Sequence, residues 1–263
     1  MSEQDLIERA KEHIAAKRFA EADALARDVL RDNAEDTRAL HIRGFVALNL
    51  GQPAMALELL RKADAFGSEN PLLFMHLGAA EGMIGNRPAA ISAFDRALEL
   101  VPTLAEAHQN KGLALIGEGR MEEAVFAFEA AELNGAGPQA SSGRGQALFE
   151  LGRFAEAKEA FQKALDEDAG SFEILVNMGH TMLALAENED ALKTFERADN
   201  AKPFHPAVMM GLAKARAATG DIKGAKGVLK TLLGRKPGWE PAQDLLAEIE
   251  FGASKEPETP THH

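Results

Sequence analysis

The same spacing of small and large residues returns seven times along this chain. Windows beginning at Glu3, Thr37, Pro71, Ala105, Pro138, Phe172 and Pro206 stand 34 residues apart, except for one step of 33. The eighth residue of each window is Ala10, Gly44, Gly78, Gly112, Gly145, Gly179 or Ala213. The twentieth is alanine in all seven: Ala22, Ala56, Ala90, Ala124, Ala157, Ala191 and Ala225. The twenty-fourth is Ala26, Leu60, Phe94, Phe128, Phe161, Phe195 or Leu229, and the twenty-seventh is Val29, Ala63, Ala97, Ala131, Ala164, Ala198 or Leu232. A period of this length marks supersecondary units that bury a core only by stacking on their neighbours.

The positions have a physical logic. Each window holds two helical stretches, divided by a turn at Gly51, Gly85, Gly119, Gly152 and Gly220. Glycine there takes the left-handed conformation that stops a helix. Small residues at the eighth and twentieth places let two helix backbones approach closely. The larger residue at the twenty-fourth place is expected to fill the space toward the next unit. Pro102, Pro203 and Pro237 near the window ends stop one helix ahead of the next.

This pattern resembles the tetratricopeptide-repeat (TPR) family, whose signature is W-x2-L-G-x2-Y, then A-x3-F, then P on a 34-residue period. The nearest local matches are LGAAEGMIGNRPAAISAFDRALELVP, from Leu77 to Pro102, and ALFELGRFAEAKEAFQKAL, from Ala147 to Leu165. The family's large aromatic at the fourth place is replaced by Leu40, Phe74, His108, Ser141, Leu175 and Met209, and its tyrosine at the eleventh is missing throughout. The resemblance implies an all-α fold, a right-handed α-solenoid superhelix of helix–turn–helix repeats.

Seven repeats are expected over 3–36, 37–70, 71–104, 105–137, 138–171, 172–205 and 206–239. Beyond them, Leu245, Leu246 and Ile249 form an apolar stripe at helical spacing, which predicts a capping helix over 240–251. The polar, proline-bearing remainder, 252–263, reads as a disordered tail. The shortened step falls in ELNGAGPQ, Glu132 to Gln139, where a tight turn and a change of curvature are alternative readings.

Several functional classes recede on composition. There is no cysteine, which removes disulfides, zinc fingers and thiol nucleophiles. No stretch approaches the ~20 apolar residues of a membrane helix, and the N-terminus lacks a signal-peptide core, so a cytoplasmic protein without membrane insertion is expected. The net charge of −12 repels phosphate backbones and argues against nucleic acid. That charge is uneven. Residues 105–205 carry 18 acidic against 9 basic side chains, whereas 206–239 set Lys214, Arg216, Lys223, Lys226, Lys230, Arg235 and Lys236 against Asp221 alone. The contrast suggests salt-sensitive head-to-tail self-association through the basic repeat, set against a simpler reading as a charge-biased cap.

No catalytic constellation is found, so the chain is expected not to be an enzyme and to need no cofactor. Gly143 and Gly145 suggest a phosphate loop only faintly, with no strand before them. His41, His76 and His180 share a face of their first helices, but too few acidic residues join them to make a metal site. Acid pairs such as Glu122 and Glu123 read as solvated outer face, with no cleft to shift a carboxylate.

The family resemblance implies that the first helix of each repeat lines a concave groove where partners bind. The second, fifth, sixth, ninth, twelfth and thirteenth places should face it. The candidate binding residues are His41, Phe45, Asn49, Met75, His76, Gln109, Asn110, Leu113, Gln146, Phe149, Asn177 and His180. Amides suit a peptide backbone, and methionine and phenylalanine suit its side chains. The family's basic clamp for chaperone tails is not expected, because its places hold Ile7, Lys11, Ile42, Phe45, Leu72 and His76, of which only Lys11 fits. The expected function is a protein-binding scaffold or adaptor that takes a peptide or partner segment in this groove. A substrate-recruiting module of a larger enzyme, of glycosyl- or sulfotransferase type, and a cell-envelope or pilus assembly factor are the alternatives.

Overall fold

A computed structural model describes residues 2–253. Among these residues there are fifteen helices and no strand. First helices of the repeats are α1 (Glu3–Ala15), α3 (Thr37–Asn49), α5 (Pro71–Met83), α7 (Ala105–Gly117), α9 (Pro138–Glu150), α11 (Phe172–Ala184) and α13 (Pro206–Ala218). Second helices are α2 (Phe19–Asp32), α4 (Pro53–Ala65), α6 (Arg87–Leu100), α8 (Met121–Leu133), α10 (Phe154–Glu167), α12 (Asn188–Ala201) and α14 (Ile222–Arg235). A final helix, α15 (Glu240–Ala253), follows. The chain divides into two compact units, α1–α8 and α9–α15, with the boundary between Ala136 and Gly137 inside the shortened joint. In each, a first helix packs on its own second helix, and that second helix packs on the first helix of the next repeat.

Local chemistry explains the helix ends. Asp36 accepts from the backbone N–H of Arg38 and Ala39, at 2.9 and 3.0 Å, and caps α3. Asn70 caps α5 through the Leu72 N–H at 3.0 Å. Prolines open α4, α5, α9 and α13, where a missing N–H costs nothing. The intra-repeat turn is left-handed in every repeat: φ is +68° at Gly51 and +84° at Gly85, and the first and sixth repeats force Lys17 (+56°) and Ala186 (+58°) into the same conformation.

The core is built from the periodic residues, and one expectation about it changes. The twenty-fourth residue lies first of all over the eighth-place glycine of its own repeat. A Cβ added to Gly78 would stand 2.6 Å from the Phe94 ring; at Gly112, Gly145 and Gly179 it would stand 2.8, 2.8 and 2.7 Å from Phe128, Phe161 and Phe195. Such distances lie well inside van der Waals contact, so the glycines are the sockets for these rings. Contact toward the next unit also occurs, since Phe195 covers Gly211 of the following first helix. Where the socket is alanine, at Ala10 and Ala213, its partner shrinks to Ala26 or Leu229.

The C-terminal helix packs on α14, with Ala242 and Ile249 buried in a cluster with Leu229 and Leu232. It extends two residues, Gly252 and Ala253, into the stretch expected to be a disordered tail. The rest of that tail, 254–263, lies outside the described residues. No described helix is long and apolar enough to cross a membrane.

Candidate functional site

The first-helix faces carry hollows, and ten of the twelve candidate residues line three of them. In the first unit, a hollow of about 480 Å³ collects His41, Phe45, Met75 and His76, together with Ile14, Leu72, Asn70, Lys11 and Glu106. Leu72 is 43% exposed on its rim, whereas Met75 is buried and meets the hollow only from beneath. The two histidines come together across adjacent repeats. His41 Nε2 lies 2.8 Å from His76 Nδ1, and the His76 ring packs on Phe45 at a tilt of 41°, with centroids 4.7 Å apart. The Asn70 side-chain oxygen is taken by the Leu72 N–H, which turns its Nδ2 to His41 Nδ1 at 3.2 Å.

One hydrogen therefore serves the gap between the rings. Burial pushes His41 down to about 4, against a backbone contact with Leu72 that favours its charged form. Burial, then the neighbouring His41, push His76 down to about 3. Both are neutral at physiological pH, so this hollow presents imidazole nitrogens and apolar walls, with charge confined to Lys11 and Glu106. Among the described residues no three histidine, aspartate or glutamate side chains gather to hold a metal.

Asn110 and Leu113 line a second, 360 Å³ hollow with Met83 and the Phe94 ring. Asn49 and Gln109 line none of the three. Asn49 is exposed and donates to the Phe45 carbonyl of its own helix at 2.9 Å.

In the second unit, Gln146, Phe149, Asn177 and His180 gather around a 520 Å³ hollow with Glu150, Leu183, Ala184 and Lys214. Phe161 forms its floor. His180 stands edge-on to Phe195 at 5.1 Å, and burial followed by the Lys214 charge lowers its pKa. The Asn177 carbonyl is occupied by the Thr181 hydroxyl at 2.8 Å. Its side-chain amide has no partner among the described residues and, with Gln146, remains available to a ligand. Gly143 and Gly145 are buried helical residues of α9, so they form no phosphate loop.

Residues that sequence reasoning did not single out include Ile14, Leu72, Asn70, Phe94 and Phe161. Ile14 and Leu72 stand at the twelfth and second places, so the positional rule reaches them although they are not among the candidate residues. Asn70 stands before the repeat, where its role as a cap hid its second contact. Phe94 and Phe161 come from second helices, and a rule written for first helices does not see them.

Three family profiles described as Tetratricopeptide repeat match residues 148–208, 84–141 and 37–62. Among solved structures, MamA is 27% identical, with a TM-score of 0.56 over 61% of this chain and 94% of its own. YrrB, described as a TPR protein with an unusual peptide-binding site, is 19% identical, with a TM-score of 0.63 over 76% of this chain and 100% of its own. PilW, described as a widely conserved type IV pilus biogenesis factor, is 18% identical, with a TM-score of 0.69 over 78% of this chain and 96% of its own. At these identities YrrB and PilW share the fold.

Proposed function

The chain belongs to the tetratricopeptide-repeat family, and we propose that it is a protein-binding scaffold that holds an extended segment of a partner against its first-helix faces. The observation that carries this is the hollow of the second unit. There, two side-chain amides, Gln146 and Asn177, stand on successive first helices beside the Phe149 ring and over the Phe161 floor. Amides on consecutive repeats suit the donors and acceptors of an extended main chain, and the aromatic walls take an apolar side chain. Glu150 and Lys214 stand at the rim with opposite charges, which favours a segment that is itself of mixed charge. By itself, the first-unit hollow, with Phe45 and Leu72 beside the uncharged histidines, suits an apolar side chain of a partner. The YrrB description, a peptide-binding TPR protein, is consistent with this use of the fold.

The test is affinity capture from the source cell with wild type and with a variant carrying Asn177→Ala and Phe149→Ala. A partner retained by wild type and lost by the folded variant supports the site. A partner held equally by both places binding elsewhere and refutes it.

A second reading concerns copies of the chain itself. The acidic stretch 105–205 and the basic stretch 206–239 support salt-sensitive head-to-tail association.

A further inference from the structure

Seven repeats provide an internal comparison for each surface position. The outermost stripe of a second helix runs through the eighteenth, twenty-second, twenty-fifth and twenty-ninth places, one turn apart each time. At the twenty-second place, five repeats carry Ala24, Glu58, Ser92, Glu159 and Lys193; at the twenty-ninth, they carry Arg31, Ala65, Glu99, Asp166 and Asn200. These are ordinary solvent-facing residues. Two repeats depart from them, in opposite directions.

In the fourth repeat, the places are held by Phe126 and Leu133 on α8, exposed by 69% and 87%. Nothing among the described residues covers them, and a large apolar side chain left in water forgoes the stabilisation of burial. Around them the stripe is acidic, with Glu122 at the eighteenth place and Glu129 at the twenty-fifth. In the seventh repeat, the same places on α14 hold Gly227 and Gly234. A Cβ at either would meet nothing within 4 Å, so no internal packing demands glycine there, and each weakens the helix relative to alanine. The eighteenth and twenty-fifth places of this stripe are Lys223 and Lys230, exposed and in no ion pair among the described residues. Gly227 also lies on a 440 Å³ hollow with Phe204 and Val228.

The two stripes therefore match place for place: glutamates alternating with two apolar projections on one, lysines alternating with two bare stretches of backbone on the other. We propose that α8 of one molecule docks on α14 of a second copy, with Phe126 and Leu133 seated over Gly227 and Gly234 and the flanking glutamates facing lysines. This rests on the charge division described above and names the surfaces that carry it. Two α8 stripes brought together would set glutamate against glutamate if parallel and glutamate against an apolar side chain if antiparallel, with four like charges in one contact and no lysine to meet them, so the contact is heterologous: each molecule keeps one face of each kind, and assembly continues beyond the dimer unless a ring closes.

The experiment is sedimentation velocity on the full chain over a range of concentrations, at about 0.1 M and about 1 M salt, between which the screening length falls from roughly 10 Å to roughly 3 Å. Wild type is expected to form species larger than a dimer at low salt and to dissociate at high salt. One variant carries Phe126→Ser and Leu133→Ser; the other carries Lys223→Glu and Lys230→Glu. All four sites are exposed, so both variants should keep the helical circular dichroism of wild type. Each alone should associate at least about tenfold more weakly, which is the low end both for withdrawing one large apolar side chain from an interface and for setting like charges across it. Mixed in equal amounts, they should form a heterodimer and stop there, because each retains one intact face.

A mixture that stays monomeric overturns the proposal, as does an α8 variant that associates like wild type. If the lysine variant still associates and the α8 variant does not, the contact joins like faces and the heterologous geometry is wrong. Association of wild type that neither variant affects leaves the charge division standing and refutes the named surfaces. A wild type that is monomeric at low salt refutes both.

Discussion

Gly145→Ala adds one methyl group in the middle of a helix, and the same change at Gly227 adds the same methyl to another. In isolation each should stabilise its helix by about 1 kcal/mol, since alanine is the best helix former and glycine among the worst. The structure predicts opposite outcomes. At Gly145 the new Cβ would lie 2.8 Å from the Phe161 ring, with three ring atoms inside 3.0 Å. Phe161 is almost wholly buried between its helix and its neighbours, so admitting the methyl means pushing the ring off its packed position toward the hollow above it or moving α9 away from α10. Overpacking of that kind costs about 1–3 kcal/mol, and three simultaneous close contacts belong in the upper part of the range. With the helix gain subtracted, Gly145→Ala should destabilise the protein by about 1–2 kcal/mol. At Gly227 the Cβ meets nothing, and the full gain of about 1 kcal/mol should appear. Urea denaturation followed by circular dichroism at low protein concentration reads both changes as shifts of the midpoint in opposite directions. Adding Phe161→Leu to Gly145→Ala should recover part of the loss, as a non-additive pair. If Gly145→Ala raises the midpoint as Gly227→Ala does, the socket reasoning fails for all four glycine–phenylalanine pairs.

Ala186 holds the left-handed turn conformation that glycine holds in five other repeats, so Ala186→Gly should raise stability by up to about 1 kcal/mol, seen as a higher urea midpoint; an unchanged or lower one would show that the turn is not strained. His41 and His76 have folded pKa values of about 4 and 3, below the ordinary value of 6.5, so below pH 6.5 the unfolded chain binds protons that the folded chain does not. Stability should therefore be fully present above pH 6.5 and fall as pH drops toward 4 and 3, by about 1.4 kcal/mol per histidine per pH unit. A double His41→Gln and His76→Gln variant should flatten the profile in that window, and imidazole NMR signals that titrate near 6.5 would refute the account.

The depth of the sequence signal differed from level to level, for identifiable reasons. Helix stacking was legible because alanine at the twentieth place and glycine at the eighth recur under a steric demand that acts the same way in every repeat. The left-handed turn was legible at Gly51 and Gly85, where glycine betrays it, and illegible at Lys17 and Ala186, where tertiary packing imposes the same φ on residues that do not advertise it. The candidate site was legible by place along the first helix: His41 and His76 occupy neighbouring repeats at adjoining places, so their contact follows from the period. Their shared hydrogen bond and their neutrality do not, since these depend on burial beneath Phe45 and on the direction in which Asn70 turns its amide. Asn49 and Gln109 stand at groove places yet line none of the hollows, because a position on a helix face decides direction and not what the side chain meets.

By itself, then, the sequence determined the period, the helix pairs and the places of the small and large core residues, all of which depend on interactions that repeat every 34 positions, while the structure decided that each ring sits over the glycine of its own repeat. Tertiary structure alone decided which residues depart from the pattern in a way that matters. Phe126 and Leu133 read in the sequence as two more apolar residues of a helix, and Gly227 and Gly234 as two more glycines. Only the packed molecule shows that the first pair is left uncovered and that the second has no neighbour to make room for, because exposure is a property of the three-dimensional surroundings and not of the residue.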